Sequence, residues 1–112
     1  VALIAPGTPT GATSAIWPRL DDSVTFTASY PKQLDHYGVS IQVLCYQDNG
    51  TTLVYGEVGP WNQQFLLGGT TSQWYLTGGQ ADCIATLYYW SYNGGQKFNF
   101  LAETQFVGYP RL

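Results

Sequence analysis

His36 is the only histidine of the chain and lies in the run Asp35-His36-Tyr37. A Ser-His-Asp relay would have to pass through it, yet no Gly-x-Ser-x-Gly elbow presents a nucleophile. Placed between Pro31 and Gly38, the run reads as a polar loop. The carboxylates Asp21, Asp22, Asp35, Asp48, Glu57, Asp82 and Glu103 are scattered. A glycosidase needs two of them facing each other across a cleft, which a domain this small rarely supplies. The doublet Asp21-Asp22 falls short of the several spaced oxygens of a calcium loop. Cys45 and Cys83 lack the spacing of a zinc site, and no glycine-rich phosphate loop is present. The sequence therefore assigns no catalytic residue, no metal and no cofactor, and the chain is read as non-enzymatic.

The residues in surplus are aromatic. They make up 16% of the 112 residues, whereas Asp, Glu, Lys and Arg together make up 10%. Soluble domains average roughly 25% charged residues. Disorder would require the opposite balance. Four Lys and Arg cannot neutralise a phosphate backbone, so nucleic acid is excluded as a partner. No apolar run approaches the ~20 residues of a membrane helix, and no membrane is expected. One domain is the natural reading of this length.

The elements that position these side chains repeat with a period of two. Val24, Phe26 and Ala28 alternate with Thr25, Thr27 and Ser29; Val39, Ile41, Val43 and Cys45 alternate with Ser40, Gln42 and Leu44. Asp48-Asn49-Gly50 reads as a tight type I′ hairpin turn, although Asn49-Gly50-Thr51 also fits a glycosylation sequon. Residues 52–58 return as a strand, and Gly59-Pro60 breaks it. A short strand follows over 63–67, then a loop over 70–80, the long strand 82–92, a turn at Asn93-Gly94-Gly95, and a last strand over 97–107 with Phe98, Phe100, Ala102, Thr104 and Phe106 on one face. No window carries a helical stripe. About seven strands with turns between them predict an all-β, immunoglobulin-like antiparallel β-sandwich over residues 21–112; a small barrel or jelly roll fits the same pattern. Residues 1–20, with Pro6, Gly7, Pro9, Gly11 and Pro18, read as an extended N-terminal arm whose end is tied down by Ile16 and Trp17.

If 39–46, 82–92 and 96–107 are strands C, F and G of such a sandwich, the end of the first lies beside the start of the second. Cys45 and Cys83 then face each other at disulfide distance. The loop of about 39 residues so closed would stabilise by about 4 kcal/mol. Two buried free thiols are the alternative. A disulfide points to a secreted or extracellular-particle protein. The chain starts at Val1 without a leader, so the expectation is a removed signal or another export route.

On the long strand, Cys83, Ala85, Leu87 and Tyr89 share the phase of Val39, Ile41 and Val43 and are assigned inward. Tyr88, Trp90 and Tyr92 then face outward, with Trp61, Trp74 and Tyr75 in loops. Such a row is covered by the chain's own arm or loop, or meets a protein partner, or stacks on sugar rings.

The run Ala81-Asp82-Cys83-Ile84-Ala85-Thr86-Leu87-Tyr88-Tyr89-Trp90, with Val43-Leu44-Cys45-Tyr46-Gln47 and Leu53-Val54-Tyr55-Gly56, resembles immunoglobulin-like domains of structural proteins of tailed actinobacterial phages. The resemblance covers roughly residues 22–107. The strand-C tryptophan and the inter-sheet B–F bridge of antibody domains are missing. The resemblance implies a capsid decoration or minor virion protein on a virion surface or otherwise extracellular. Its partners would be capsid or other virion subunits, with a homo-oligomer such as a trimer as one form of assembly. A carbohydrate-binding module whose partner is a polysaccharide is the alternative. The contact residues expected for either are Ile16, Trp17, Trp61, Trp74, Tyr75, Tyr88, Trp90 and Tyr92.

Overall fold

A computed structural model of the chain describes residues 3–6, 17–92 and 94–111. Two antiparallel sheets pack face to face as an all-β sandwich. Strands β1 (Leu3–Pro6), β2 (Ser23–Ser29) and β5 (Gln64–Leu66) form one sheet in the order β1-β2-β5. Strands β3 (Ser40–Gln47), β4 (Thr52–Pro60), β6 (Ala81–Ser91) and β7 (Lys97–Gly108) form the other in the order β4-β3-β6-β7.

The alternating residues meet between the sheets. Val24, Phe26 and Phe65 from one sheet close on Ile41, Val43, Ala85 and Leu87 from the other. Phe26 packs edge-on against Phe65 at 5.7 Å and tilted against Phe106 at 5.9 Å. Cys45 and Cys83 are register partners on the central strands β3 and β6. They form a disulfide within the sheet, with Cα atoms 4.0 Å apart.

Two short helical pieces appear where the sequence predicted only loop. Lys32–Tyr37 forms a 3-10 turn, and Gln73–Thr77 forms a single-turn helix, α1. Each lacks the length for a helical stripe to register. The Ser72 hydroxyl caps α1 by accepting from Tyr75 N–H at 3.0 Å. The helix drives Trp74 into the core at 0% exposure, where its indole N–H donates to Gly79 O at 2.7 Å. Gly108 is required beside it: a Cβ there would collide with the Trp74 ring.

The β3–β4 turn is wider than the predicted two-residue form. Gln47 pairs with Thr52, and Asp48, Asn49 and Gly50 all take positive φ (56°, 57° and 83°). The Asp48 side chain and carbonyl hold the loop, accepting from the hydroxyls of Thr52 and Thr51. Thus the side-chain chemistry of Asp48 outcompetes the minimal turn that Asn-Gly alone favours.

Parts of the expected arm belong to the body of the domain. Leu3–Pro6 pairs with β2 as an edge strand, and Ile4 is buried. Trp17 packs against the core, and Pro18 and Leu20 are buried. Leu20 N–H donates to Tyr109 O, and Tyr109 N–H donates to Pro18 O, a parallel bridge that ties this segment to the end of β7. Ile16 lies outside the described residues.

Replacing both cysteines by alanine is expected to lower the unfolding free energy by about 4 kcal/mol, the chain-entropy value for a bridge across this separation. Urea denaturation of Cys45→Ala/Cys83→Ala beside the unaltered chain measures it; a loss under ~1 kcal/mol would show that core packing alone fixes the register.

Candidate functional site

The solvent side of the four-stranded sheet is built from the second phase of each strand. Reading across the strands, Pro60, Ser40, Tyr88 and Phe100 form one row; Val58, Gln42, Thr86 and Glu103 form the next; Gly56, Leu44, Ile84 and Gln105 form a third. Beyond the first row, Trp90 pairs with Phe98. The aromatic residues therefore gather at the end of the sheet nearest the β6–β7 hairpin, and the polar row Gln42-Thr86-Glu103 bounds them.

Tyr88 stacks on Phe98 with ring centroids 5.0 Å apart, and Trp90 meets both rings edge-on, at 6.3 Å from Tyr88 and 5.4 Å from Phe98. This packing leaves Tyr88 only 7% exposed although it points away from the core, while Phe98, Phe100 and Tyr92 remain 46%, 55% and 65% exposed. Loss of water raises the Tyr88 phenol above its ordinary pKa. No charged side chain stands within the cluster; Lys97 and Glu103 flank it along β7.

Phe98 and Phe100 reach this face because the ladder slips by one residue. Tyr88 pairs with Phe100 but Leu87 pairs with Ala102, so Leu101 is the extra residue of a β-bulge. The expected single face from Phe98 to Phe106 is thereby corrected. Phe98 and Phe100 face solvent, while Ala102, Thr104 and Phe106 stand opposite inward residues of β6. Adjacent apolar residues at Phe100-Leu101-Ala102 were the available signal, since strict alternation forbids them on a half-buried strand.

The structure places Trp61, Trp74 and Tyr75, three of the other expected contact residues, elsewhere. Trp74 is core, which corrects its reading as a surface aromatic. It lies beside Cys83, and the seven residues from there to Trp90 span ~23 Å of strand. Tyr75, on the same short helix, lies under the Arg111 guanidinium, 4.2 Å from its ring centroid. Trp61 packs against the core and edge-on against Tyr30 at 5.7 Å. Tyr89, assigned inward, is half-buried against Tyr37, whose other neighbour is His36 at 4.1 Å. His36 itself is exposed. The Asp22 carboxylate accepts from Arg19 N–H at 2.9 Å. Among the described residues, no three His, Cys, Asp or Glu side chains are grouped to hold a metal ion.

A polar constellation escaped the sequence reading. Glu57 is on the inward phase of the edge strand β4, opposite Val43. Tyr55 Oη donates to Glu57 Oε1 at 2.6 Å, and Gln63 Nε2 donates to Oε2 at 2.8 Å. Burial, then the hydrogen bond and the charge of Glu57, raise the Tyr55 phenol far above its ordinary value. The signal was the alternation Tyr55-x-Glu57, which puts a carboxylate where the period demands an apolar residue.

Comparison with family models, curated proteins and solved structures finds no match to this chain.

The raised Tyr55 pKa has a defined consequence. Below pH ~10 the phenol is neutral in both states and its buried form contributes in full; above it the unfolded phenol ionises while the native one keeps its proton, so stability falls as pH rises. The slope for this one group is bounded by ~1.4 kcal/mol per pH unit. Denaturant titrations between pH 9 and 11.5 should show a shallower alkaline decline for Tyr55→Phe than for the unaltered chain. Equal slopes would remove Tyr55 as the source.

Proposed function

We propose that the chain is a non-catalytic structural module that adheres to a protein surface through the outer aromatic end of its four-stranded sheet. The observation that carries this reading is the outer cluster of Tyr88, Trp90 and Phe98, packed ring against ring, with the exposed Phe100 opposite Tyr88 and no charged side chain among them. Single exposed apolar residues need no explanation, but a contiguous aromatic patch with a polar border is the form of an interaction site. Rings already locked against one another lose little side-chain entropy on docking. The partner that fits is a neutral, apolar protein surface.

The finer identity rests on the resemblance to phage structural domains. The strand order, β1-β2-β5 facing β4-β3-β6-β7, supports an immunoglobulin-like sandwich. We infer a decoration or minor virion protein seated on capsid subunits, at a virion surface. The N-terminal segment would add contacts along a neighbouring subunit between its two anchors, β1 and Trp17–Leu20. A polysaccharide platform is less well supported, because Trp61, Trp74 and Tyr75 do not flank Trp90 to extend a flat ring surface.

Co-sedimentation with capsids of a tailed actinobacterial phage tests the assembly reading. The folded chain should pellet with the particles, and Phe100→Lys should weaken this at least tenfold without altering the near-ultraviolet circular dichroism of the fold. Retardation on a polysaccharide gel, lost in Trp90→Ala, with no particle binding would overturn it. Deleting residues 1–18 would be a poorer test, since it removes β1 and the buried Ile4 from the sandwich.

A further inference from the structure

The second surface lies at the opposite edge of the same sheet. β4 is a strand of nine residues, and among the described residues no strand lies beyond it. The close Cα approach of Cys45 and Cys83 marks a non-hydrogen-bonded pair, so Cys45, Val43 and Ile41 direct their backbone groups toward β4. Trp61 N–H donating to Val39 O at 3.2 Å continues this phase. Their partners Tyr55, Glu57 and Gly59 are thus bound to β3, and Gly56 and Val58 turn their backbone N–H and C=O to the free edge.

A groove of about 610 Å³ runs along this edge. One wall is β4 from Leu53 to Glu57; the other comprises Leu66, Gly68, Gly69, Thr71 and Ser72. The two glycines leave that wall as bare backbone, and the exposed Leu53 and Leu66 add apolar surface. Glu57 also lines the groove, and among the described residues its carboxylate is held by two hydrogen bonds and by no cation.

We propose that this groove accepts an extended peptide segment of a partner protein as an added strand on β4, with a lysine or arginine of that segment set against Glu57. Backbone pairing with Gly56 and Val58 supplies affinity without sequence preference, as in other strand additions. Glu57 supplies the selection. A neutral strand lying over it would strip water from the carboxylate and return no cation, whereas a basic side chain replaces that water with an ion pair. The same charge opposes pairing of β4 with β4 of a second copy, which would bring two Glu57 carboxylates toward one axis. The occupant is therefore a foreign basic strand rather than another copy of this chain. This surface is independent of the aromatic cluster and does not rest on its role.

The probe is a capped nonapeptide of alternating valine and threonine with a central lysine, compared with the same peptide carrying norleucine or glutamate at the centre. Titrated into the isotope-labelled full chain, the lysine peptide should move the amide resonances of Gly56, Val58, Gly68 and Gly69, and bind at least tenfold more tightly than the norleucine peptide. The glutamate peptide should not bind. In Glu57→Gln the lysine preference should vanish. Absence of shifts at the groove, equal affinity for lysine and norleucine, or an unchanged preference in Glu57→Gln would each overturn the proposal. The peptide comparison uses the unaltered chain, so it stands even where Glu57→Gln perturbs folding.

Discussion

The pairing of β3 with β6 is the constraint on which both faces of the larger sheet depend. Side chains alternate with a period of two, so a single-residue slip would exchange Val43 for Leu44 in the core if β3 moved, or Ala85 for Ile84 if β6 moved. The Cys45–Cys83 bond, buried at one end of this pair, removes that freedom covalently. Once the inner phase is fixed by Cys83, Ala85 and Leu87, the outer phase of the same strand must hold Thr86, Tyr88 and Trp90. The aromatic cluster is thus the other side of the packing that makes the core.

That inheritance is incomplete without the bulge. Had β7 kept strict register along its length, Phe98 and Phe100 would share the inward phase of Ala102, Thr104 and Phe106. Tyr88 and Trp90 would then stand opposite Leu101 and Asn99 instead of two aromatic rings, and the core would have to hold two more phenylalanines. The extra residue at Leu101 divides the strand into an inward stretch and an outward stretch. A bulge costs a local break in the ladder. Here it is offset by stacking of Phe98 on Tyr88, worth about 0.5–1.5 kcal/mol for an aromatic pair beyond the area it buries. The bulge between β3 and β4, at Cys45/Tyr46, likewise buries Val54 and Tyr55 in succession.

Much of this architecture was legible because two-residue periodicity is a strong local signal. The strands, the inward phase of Cys83 to Leu87, and the proximity of the cysteines all follow from it. What stayed hidden was decided by contacts distant in sequence. Trp74 looked like a loop aromatic because nothing near it reveals that Gly108, at the end of β7, leaves room for its indole. The N-terminal segment looked detached because Pro and Gly mark breaks in local structure, whereas its attachment is through β2 and Tyr109. Phe98 and Phe100 share the alternation of Ala102 to Phe106, and the run Phe100-Leu101-Ala102 marks an irregularity whose outcome, the slip that turns them outward, is set by pairing with β6.

Low charge makes each remaining charge more consequential. A sheet sandwich with few exposed Lys and Glu residues has little general protection against edge-to-edge association, so its edges must be guarded individually. The β7 side is partly occupied by the Pro18–Leu20 bridge at Tyr109. On the β4 side, the devices are the bulge, Pro60 at the strand end, and Glu57 on the inward phase. Of these, only Glu57 discriminates by chemistry. The bulge and proline oppose every incoming strand, whereas a carboxylate opposes strands that leave it unpaired and tolerates one that brings a cation. Tyr55 and Gln63 hold each carboxylate oxygen by one hydrogen bond, which orients the charge without neutralising it. The arrangement that keeps this edge from indiscriminate pairing is therefore the arrangement that would let it pair selectively.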